Sequence, residues 1–244
     1  MAREIRKTKA VTEAIKLAEV VMGSDNAIGE IVGPAGTGKS MAGRAVCEAY
    51  RAARIVAFDG MTRHQLLRAV AQAAGIEGPG AVDRLLAAPE GDTRRLIVVD
   101  EANKLGWRPL EALRFLADER GFAVLLIGTE LYERQFAASR TRELLLQLGS
   151  RIGAKRMSTR HLDRAETYAH VLRPAFGDVA DKELINAFWM GCRKGNYREA
   201  VELAEECRRI MAANQMQNLT SAVLELALKW SANRRVVGRD GHAA

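Results

Sequence analysis

Eight consecutive residues near the start of the chain have the types and spacing of a phosphate-binding loop. They are Gly33, Pro34, Ala35, Gly36, Thr37, Gly38, Lys39 and Ser40, which fit the pattern G-x-x-x-x-G-K-S. Glycines let the backbone N–H groups turn toward phosphate oxygens, and a helix that follows adds the positive end of its dipole. Lys39 is predicted to reach the β and γ phosphates, and Ser40 to ligate Mg²⁺. The segment therefore predicts a site for ATP and Mg²⁺.

Two adjacent acids supply the complementary chemistry. Asp100 and Glu101 directly follow Leu96-Ile97-Val98-Val99, an apolar run rich in β-branched residues. Open α/β sheets bind ligands at the carboxyl ends of their strands, so such a strand would deliver both acids to the site. We predict that Asp100 holds Mg²⁺ through water and that Glu101 polarises the attacking water. The alternative is an ordinary strand that ends in two solvated acids.

The elements that position these residues alternate between strand and helix. Strand patterns cover residues 27–32, 54–58, 96–99 and 122–127, with a short fifth at 154–157. This alternation predicts an α/β fold, a parallel sheet with helices on both faces, over residues 1–160. Residues 161–233 show only helical periodicity and predict a small helical lid, and residues 234–244 predict a flexible basic tail. Because the 54–58 strand lies between the two motifs, we also infer that it separates the loop strand from the Asp100 strand.

The order of these features resembles the AAA+ ATPases. In that family a polar residue after the fourth strand senses the γ-phosphate, which implies this role for Thr129; the alternative is a helix N-cap. Arg151, in Gly149-Ser150-Arg151-Ile152, resembles the arginine finger that reaches into a neighbouring subunit's site. Arg198, in Gly195-Asn196-Tyr197-Arg198, resembles the second sensor at the entry to a lid helix. Simple helix capping by Gly195 and Asn196 is the alternative there.

Within AAA+ proteins, two phrases resemble the Mu B-type transposition ATPases of bacteriophages and related transposon ATPases. They are Ile127-Gly128-Thr129-Glu130-Leu131 and Gly149-Ser150-Arg151-Ile152. The resemblance implies ATP-dependent assembly into a helical oligomer on duplex DNA, largely without sequence preference, and delivery of target DNA to a transposase. Candidate DNA contacts are Arg63, His64, Arg68, Lys104 and Arg108. A solvated basic face is the alternative for each of them. The tryptophans are predicted to pack, since no basic pattern interleaves them.

The composition of the chain limits the functions and cellular locations to be expected. Thirty-seven Lys and Arg against thirty Asp and Glu give a formal net charge of +7, which permits a polyanionic partner. Three cysteines without a CxxC pair favour a reducing cytoplasm, and we expect neither a signal peptide nor a membrane segment. The rival functions are a helicase loader or replication initiator, an ExeA-type secretion ATPase and a small-molecule kinase. The Asp-Glu pair and the lid count against the kinase.

Overall fold

The computed structural model describes residues 8–87, 94–129 and 139–240 of the chain. It divides into two compact units, residues 1–34 with 38–159 and residues 35–37 with 160–244. Residues 35–37 belong to the second unit, and two of them accept hydrogen bonds from other residues of that unit. Tyr197 N donates to Gly36 O at 2.7 Å, and Asn196 Nδ2 donates to Ala35 O at 3.3 Å. In the described part of the chain, no helix is long and apolar enough to cross a membrane.

Five parallel strands form the sheet of the first unit. They are β1 (Ile28–Val32), β2 (Ala53–Val56), β3 (Arg95–Asp100), β4 (Phe122–Ile127) and β5 (Arg156–Ser158). Their order across the sheet is β2-β3-β4-β1-β5. The predicted fold class is thereby confirmed.

One point of topology in the sequence analysis is wrong. The strand between the loop strand β1 and the Asp100 strand β3 is β4, whereas β2, the strand predicted at residues 54–58, lies at the edge. The physical reason is that a parallel strand needs a crossover connection, which can return it to either side of its predecessor. Order along the chain therefore does not give order across the sheet.

Both faces of the sheet are covered, as the apolar strands require. Along β3, Leu96 and Val98 join the core beneath α1 (Lys9–Gly23) and α2 (Lys39–Tyr50). The alternate residues Ile97 and Val99 belong to the core of the opposite face. The helices of that face are α3 (Arg63–Ala73), α4 (Ala81–Ala87), α5 (Trp107–Glu119) and α6 (Ser139–Ile152). Side chains that alternate between two buried faces are what a parallel sheet with helices on both sides produces.

The second unit is helical. Its elements are α7 (Arg164–Thr167), a π-helical turn (Tyr168–Leu172), α8 (Arg173–Phe176), α9 (Lys182–Gly191), α10 (Tyr197–Ala213) and α11 (Ser221–Asp240). They enclose a separate core around Phe188, Leu203 and Cys207. Helix α11 continues to Asp240, so residues 234–240 of the segment expected to be a flexible tail are helical.

Candidate nucleotide-binding site

The glycine-rich loop connects β1 to α2 through backbone conformations that need glycine. Gly36 and Gly38 have φ values of 79° and 87°, the left-handed region that residues with a Cβ rarely adopt. Gly38 is also the N-cap of α2, and its carbonyl accepts from Ala42 N at 2.9 Å. The N–H groups of the first turn of α2 have no partners within the helix, so they present a positive end to an anion. The local geometry is that of a phosphate cradle.

Gly33 opens this loop at a position where no side chain fits. Its φ is 150°, and a Cβ there would lie 2.3 Å from Thr159 Oγ1 and 2.6 Å from Thr159 O. Thr159 is fixed next to the strand, because its N–H donates to Val32 O at 2.8 Å. The segment after β5 therefore passes so close to the loop that only glycine can occupy position 33.

The Lys39 side chain folds back over the loop. Its Nζ donates to Gly33 O at 2.7 Å and to Pro34 O at 2.6 Å. These contacts hold the ammonium group at the loop rather than out in solvent. Lys39 thus lies where a cation could exchange carbonyl oxygens for phosphate oxygens.

Asp100 is the last residue of β3, and its side chain is almost fully buried. The exposed fraction of this side chain is 4%, and both oxygens have partners. Oδ1 accepts from the N–H of Glu101 at 2.9 Å, and Oδ2 accepts from Arg54 Nη2 at 2.5 Å. Arg54 is not among the site residues predicted from the sequence. The available signal was an arginine inside an otherwise apolar strand.

Glu101 follows in a strained backbone conformation. Its φ of 58° and ψ of 33° are left-handed, which costs a residue with a Cβ roughly 1–2 kcal/mol. Its carboxylate is 40% exposed and lies 3.6 Å from Lys104 Nζ. This left-handed conformation turns the chain sharply at the end of β3. The two adjacent acids therefore have different environments: Asp100 is buried and Glu101 is open to water. This division matches a metal-holding residue next to a water-polarising residue.

The donor set of the two motifs suits magnesium. Ser40 lies in the first turn of α2, and α2 packs on β3, which ends at Asp100. A hydroxyl and a carboxylate are hard oxygen donors, which Mg²⁺ prefers. Ser40 and Asp100 would hold the ion, and the ion would neutralise charge on the phosphates.

Thr129 follows β4 and is tied to the turn after the acids. Its N–H donates to Asn103 Oδ1 at 3.0 Å, and a Cβ on Gly128 would approach the same oxygen to 3.0 Å. Thr129 Oγ1 is buried and finds no hydrogen-bond partner among the described residues. Glu130 and Leu131, which follow it in the subfamily phrase, lie outside those residues. The sensor role of Thr129 stays a prediction, and Asn103 is a contact that sequence analysis missed.

Arg151 lies in the last turn of α6, where it pairs with an acid of its own chain. Its Nε and Nη2 lie 3.3 Å from Oδ1 and Oδ2 of Asp118, respectively. Asp118 also accepts from Arg114 Nη1 at 2.7 Å, and Arg114 in turn pairs with Glu111 at 3.0 Å. The guanidinium is thus oriented by α5, and its proposed action on a neighbour stays a prediction.

The predicted second sensor, Arg198, is exposed in the first turn of α10. The capping alternative describes the residues before it correctly: Asn196 is the N-cap, and its side chain accepts from Glu199 N at 3.2 Å. Gly195 has a φ of 85°, and a Cβ there would lie 1.7 Å from Leu162 O. Capping does not exclude a role for the neighbouring arginine, which stays a prediction.

Two of the candidate DNA contacts, Arg63 and Arg108, lie at the starts of two neighbouring helices. Arg63 of α3 and Arg108 of α5 line one cavity of about 270 Å³, together with Trp107 and Phe115. The Arg108 guanidinium stacks 4.9 Å from the centroid of the Trp107 ring. The expectation that Trp107 packs is confirmed, because the ring lies against the core, and the Arg108 guanidinium is an additional neighbour of the ring.

The other three candidates, His64, Arg68 and Lys104, do not line this cavity. His64 and Arg68 line a second cavity, of about 550 Å³, with the turn Gly78-Pro79-Gly80. Lys104 faces Glu101, as described above. The five basic residues thus do not all line one cavity.

Comparison with known proteins agrees with this geometry. A family model described as an AAA domain matches residues 22–136, which include the loop, the acids and Thr129. The Mu-like prophage FluMu DNA transposition protein B of Haemophilus influenzae is 32% identical over 107 residues, 43% of this chain and 36% of that protein. A potential ATP-binding protein of Staphylococcus aureus is 30% identical over 141 residues, 54% of this chain and 49% of that protein. The matches thus span between about a third and a half of these curated relatives.

Solved structures share the fold over nearly the whole chain. The ORC2 protein of Aeropyrum pernix superimposes with a TM-score of 0.70 at 18% identity, covering 94% of this chain and 70% of that one. The RuvB Holliday junction branch migration motor of Thermotoga maritima gives a TM-score of 0.61 at 18% identity, covering 92% and 69%. At this identity the likeness concerns the fold alone. The loop, the acids, the sheet order and the matched relatives together support an AAA+ fold in which residues 22–136 match the AAA domain, in a chain that resembles the Mu B-type transposition proteins.

Proposed function

We propose that this protein is an ATPase that binds duplex DNA in an ATP-dependent manner and regulates DNA transposition in the bacterial or phage-infected cytoplasm. The observation that carries the nucleotide part is the pairing of a glycine-dependent phosphate cradle with Asp100 and Glu101 at the end of β3. In this site Lys39 contacts the phosphates, Ser40 and Asp100 hold Mg²⁺, and Glu101 polarises the attacking water. Thr129 and Arg198 act as sensors of the γ-phosphate. Residues 1–160 form the nucleotide-binding core, and residues 161–233 form its lid.

The DNA part of the proposal rests on charge and on the relative from Haemophilus influenzae. The chain carries a net charge of +7, and Arg63 and Arg108 lie around one cavity. Arginines at helix starts are suited to phosphate oxygens, which position a protein on DNA without reading its sequence. The matched relative is a DNA transposition protein B by name. ATP-bound subunits of this chain would assemble into a helical oligomer on the duplex and present it to a transposase.

The three rival functions predict different behaviour. A helicase loader or initiator would need a partner helicase or a specific origin sequence, and its ATPase activity would not rise equally with unrelated duplexes. An ExeA-type secretion ATPase or a small-molecule kinase would not respond to DNA. The fold likeness to ORC2 and RuvB does not decide among these functions, because the sequence identity of 18% is too low.

Phosphate release measured against duplex DNA concentration tests the proposal. We expect the rate to rise with two unrelated duplexes alike and to rise more than linearly with protein concentration. The stimulation should weaken with salt, because phosphate contacts release counterions on binding. Replacing Arg63 and Arg108 with alanine should reduce the slope of log affinity against log salt by about 2, since each phosphate contact contributes about 0.9. Arg173→Ala is the matched control, an exposed arginine that pairs with Asp178 in the second unit.

A further inference from the structure

Arg54 and Asp100 form an ion pair inside the site that the sequence motifs outline. The arginine comes from the edge strand β2 and the carboxylate from the end of β3. The exposed fractions of the two side chains are 24% and 4%, so the carboxylate has left water almost completely. A buried carboxylate without a compensating partner is strongly unfavourable. Arg54 therefore supplies the positive charge that allows Asp100 to be buried as an anion.

The same carboxylate is the one that magnesium would need. Oδ1 already accepts from the Glu101 N–H, so Oδ2, which Arg54 holds at 2.5 Å, is the oxygen whose partner is a side chain able to move. A divalent cation that approaches Asp100 repels the guanidinium, and this repulsion is large where the surroundings exclude water. Two cations thus compete for one buried acid.

Arg54 has the freedom to give way. Its Nε is buried and has no hydrogen-bond partner among the described residues, so the guanidinium is held on one side only. Its strand has a neighbour on one side alone, because β2 ends the sheet. Movement of Arg54 away from Asp100 would let its Nε donate to another acceptor or to water. That hydrogen bond would offset part of the free energy lost with the ion pair.

We propose that Arg54 is a further residue of the nucleotide site, a resident cation that neutralises Asp100 until magnesium arrives with the nucleotide and displaces it. This inference rests on the proposed role of Asp100 in holding Mg²⁺. It assigns Arg54 two opposite effects. The residue stabilises the nucleotide-free protein, and it lowers the affinity of the nucleotide complex for the metal. A purely structural arginine would have only the first effect.

Manganese affinity in the presence of a non-hydrolysable ATP analogue separates these roles. The electron paramagnetic resonance signal of free Mn²⁺ decreases when the ion binds. Because the analogue itself binds Mn²⁺, the difference between the analogue with protein and the analogue alone gives the ion held at the protein site, without turnover. We expect Arg54→Gln to lower the Mn²⁺ concentration for half-saturation by roughly tenfold, the low end of what a neighbouring charge does to a competing cation. We also expect Arg54→Gln to lower the melting temperature without nucleotide. An unchanged or weaker Mn²⁺ affinity in this variant would overturn the inference.

Two further variants keep the result interpretable. Arg156→Gln is the matched control, because Arg156 lies on the opposite edge strand and also pairs with a buried acid, Glu30. The Mn²⁺ affinity of this variant should equal that of the unmodified protein. Arg54→Lys keeps the positive charge and is the variant to use if Arg54→Gln does not fold. Its Mn²⁺ affinity should lie within about twofold of that of the unmodified protein, because the charge is what competes with the ion. Lost Mn²⁺ affinity in Arg54→Lys would contradict the inference. Absence of nucleotide-dependent Mn²⁺ binding in the unmodified protein would instead contradict the proposed nucleotide site itself.

Discussion

The backbone N–H of Thr129 donates a hydrogen bond to Oδ1 of Asn103 at 3.0 Å, which joins the end of β4 to the turn that follows Glu101. The predicted sensor and the predicted water-polarising acid are therefore connected through one amide side chain. Such a connection fixes the spacing of two groups that must act on the same phosphate, and small errors in that spacing are costly for rate.

Asn103→Ala should slow turnover and leave nucleotide affinity nearly unchanged. One hydrogen bond of about 1 kcal/mol is lost, so we expect a decrease of roughly three- to tenfold in kcat. Phosphate release and equilibrium binding of a fluorescent ATP analogue check both halves of the prediction. Asn214→Ala, which removes an amide from the second unit, serves as the control. Equal turnover in Asn103→Ala and the unmodified protein would show that the connection has no kinetic role.

Lys39→Ala and Glu101→Gln should separate binding from hydrolysis. Lys39 lies on the loop carbonyls, and its loss removes the cation that would face the phosphates, so nucleotide binding should disappear. Glu101→Gln keeps the cradle and Asp100 but removes the base, so binding should persist while turnover stops. Nucleotide titrations and phosphate release measure the two effects. Hydrolysis at the normal rate by Glu101→Gln would refute the role given to that residue.

Arg151→Ala should bind ATP nearly normally and lose hydrolysis by roughly 10³-fold or more, the effect of an arginine finger. Arg151 pairs with Asp118 in the single chain, and assembly would redirect it to a neighbour's γ-phosphate. A mixture of Arg151→Ala with Lys39→Ala should recover activity, because an intact Arg151 then faces an intact Lys39 site. No recovery in a mixture that demonstrably co-assembles would mean that Arg151 does not act between subunits. Asp118→Asn, which weakens the pairing within the chain, should retain activity.

The core of the second unit should lose stability in alkaline solution. Burial raises the pKa of the Cys207 thiol to about 12, with Glu206 adding to the effect, and burial raises the pKa of Cys192 to about 11. A thiol whose pKa is higher in the folded state contributes stability below its unfolded pKa of about 9, and this contribution is lost as the pH rises. Urea unfolding should show that the free energy of unfolding decreases less between about pH 8.5 and 10.5 for Cys207→Ala than for the unmodified protein. Parallel losses in the two proteins would show that Cys207 does not titrate as proposed.

Local patterns in the sequence were sufficient for the fold class and for the two nucleotide motifs. The glycines of residues 33–40 mark the loop because their backbone conformations are local requirements, and β3 is visible as a short β-branched run. Thr62 is the N-cap of α3: its hydroxyl accepts from the Gln65 N–H, and its own N–H donates to the Gln65 side chain. Such features depend on a few neighbouring residues, so the sequence alone predicts them.

The contacts that the sequence did not predict connect distant parts of the chain. Arg54 and Asp100 are 46 residues apart, and Arg151 and Asp118 are 33 apart. Which side chains meet depends on the order of strands across the sheet, and that order was the part of the topology predicted incorrectly. The pairing of Arg108 with Trp107 is an exception, since the two residues are adjacent in sequence and either one could have drawn attention to the other.

The anisotropy of a fluorescently labelled duplex, titrated with protein in the presence of ATP, of ADP and without nucleotide, shows whether DNA binding depends on ATP. We predict tight binding with ATP, weak binding in the other two conditions, and the same ATP-dependent curve for a second duplex of unrelated sequence. Lys39→Ala should bind weakly in all three conditions, because it cannot take up the nucleotide that drives assembly. Tight binding without nucleotide, or no binding with ATP at low salt, would contradict the claim that ATP couples this protein to DNA.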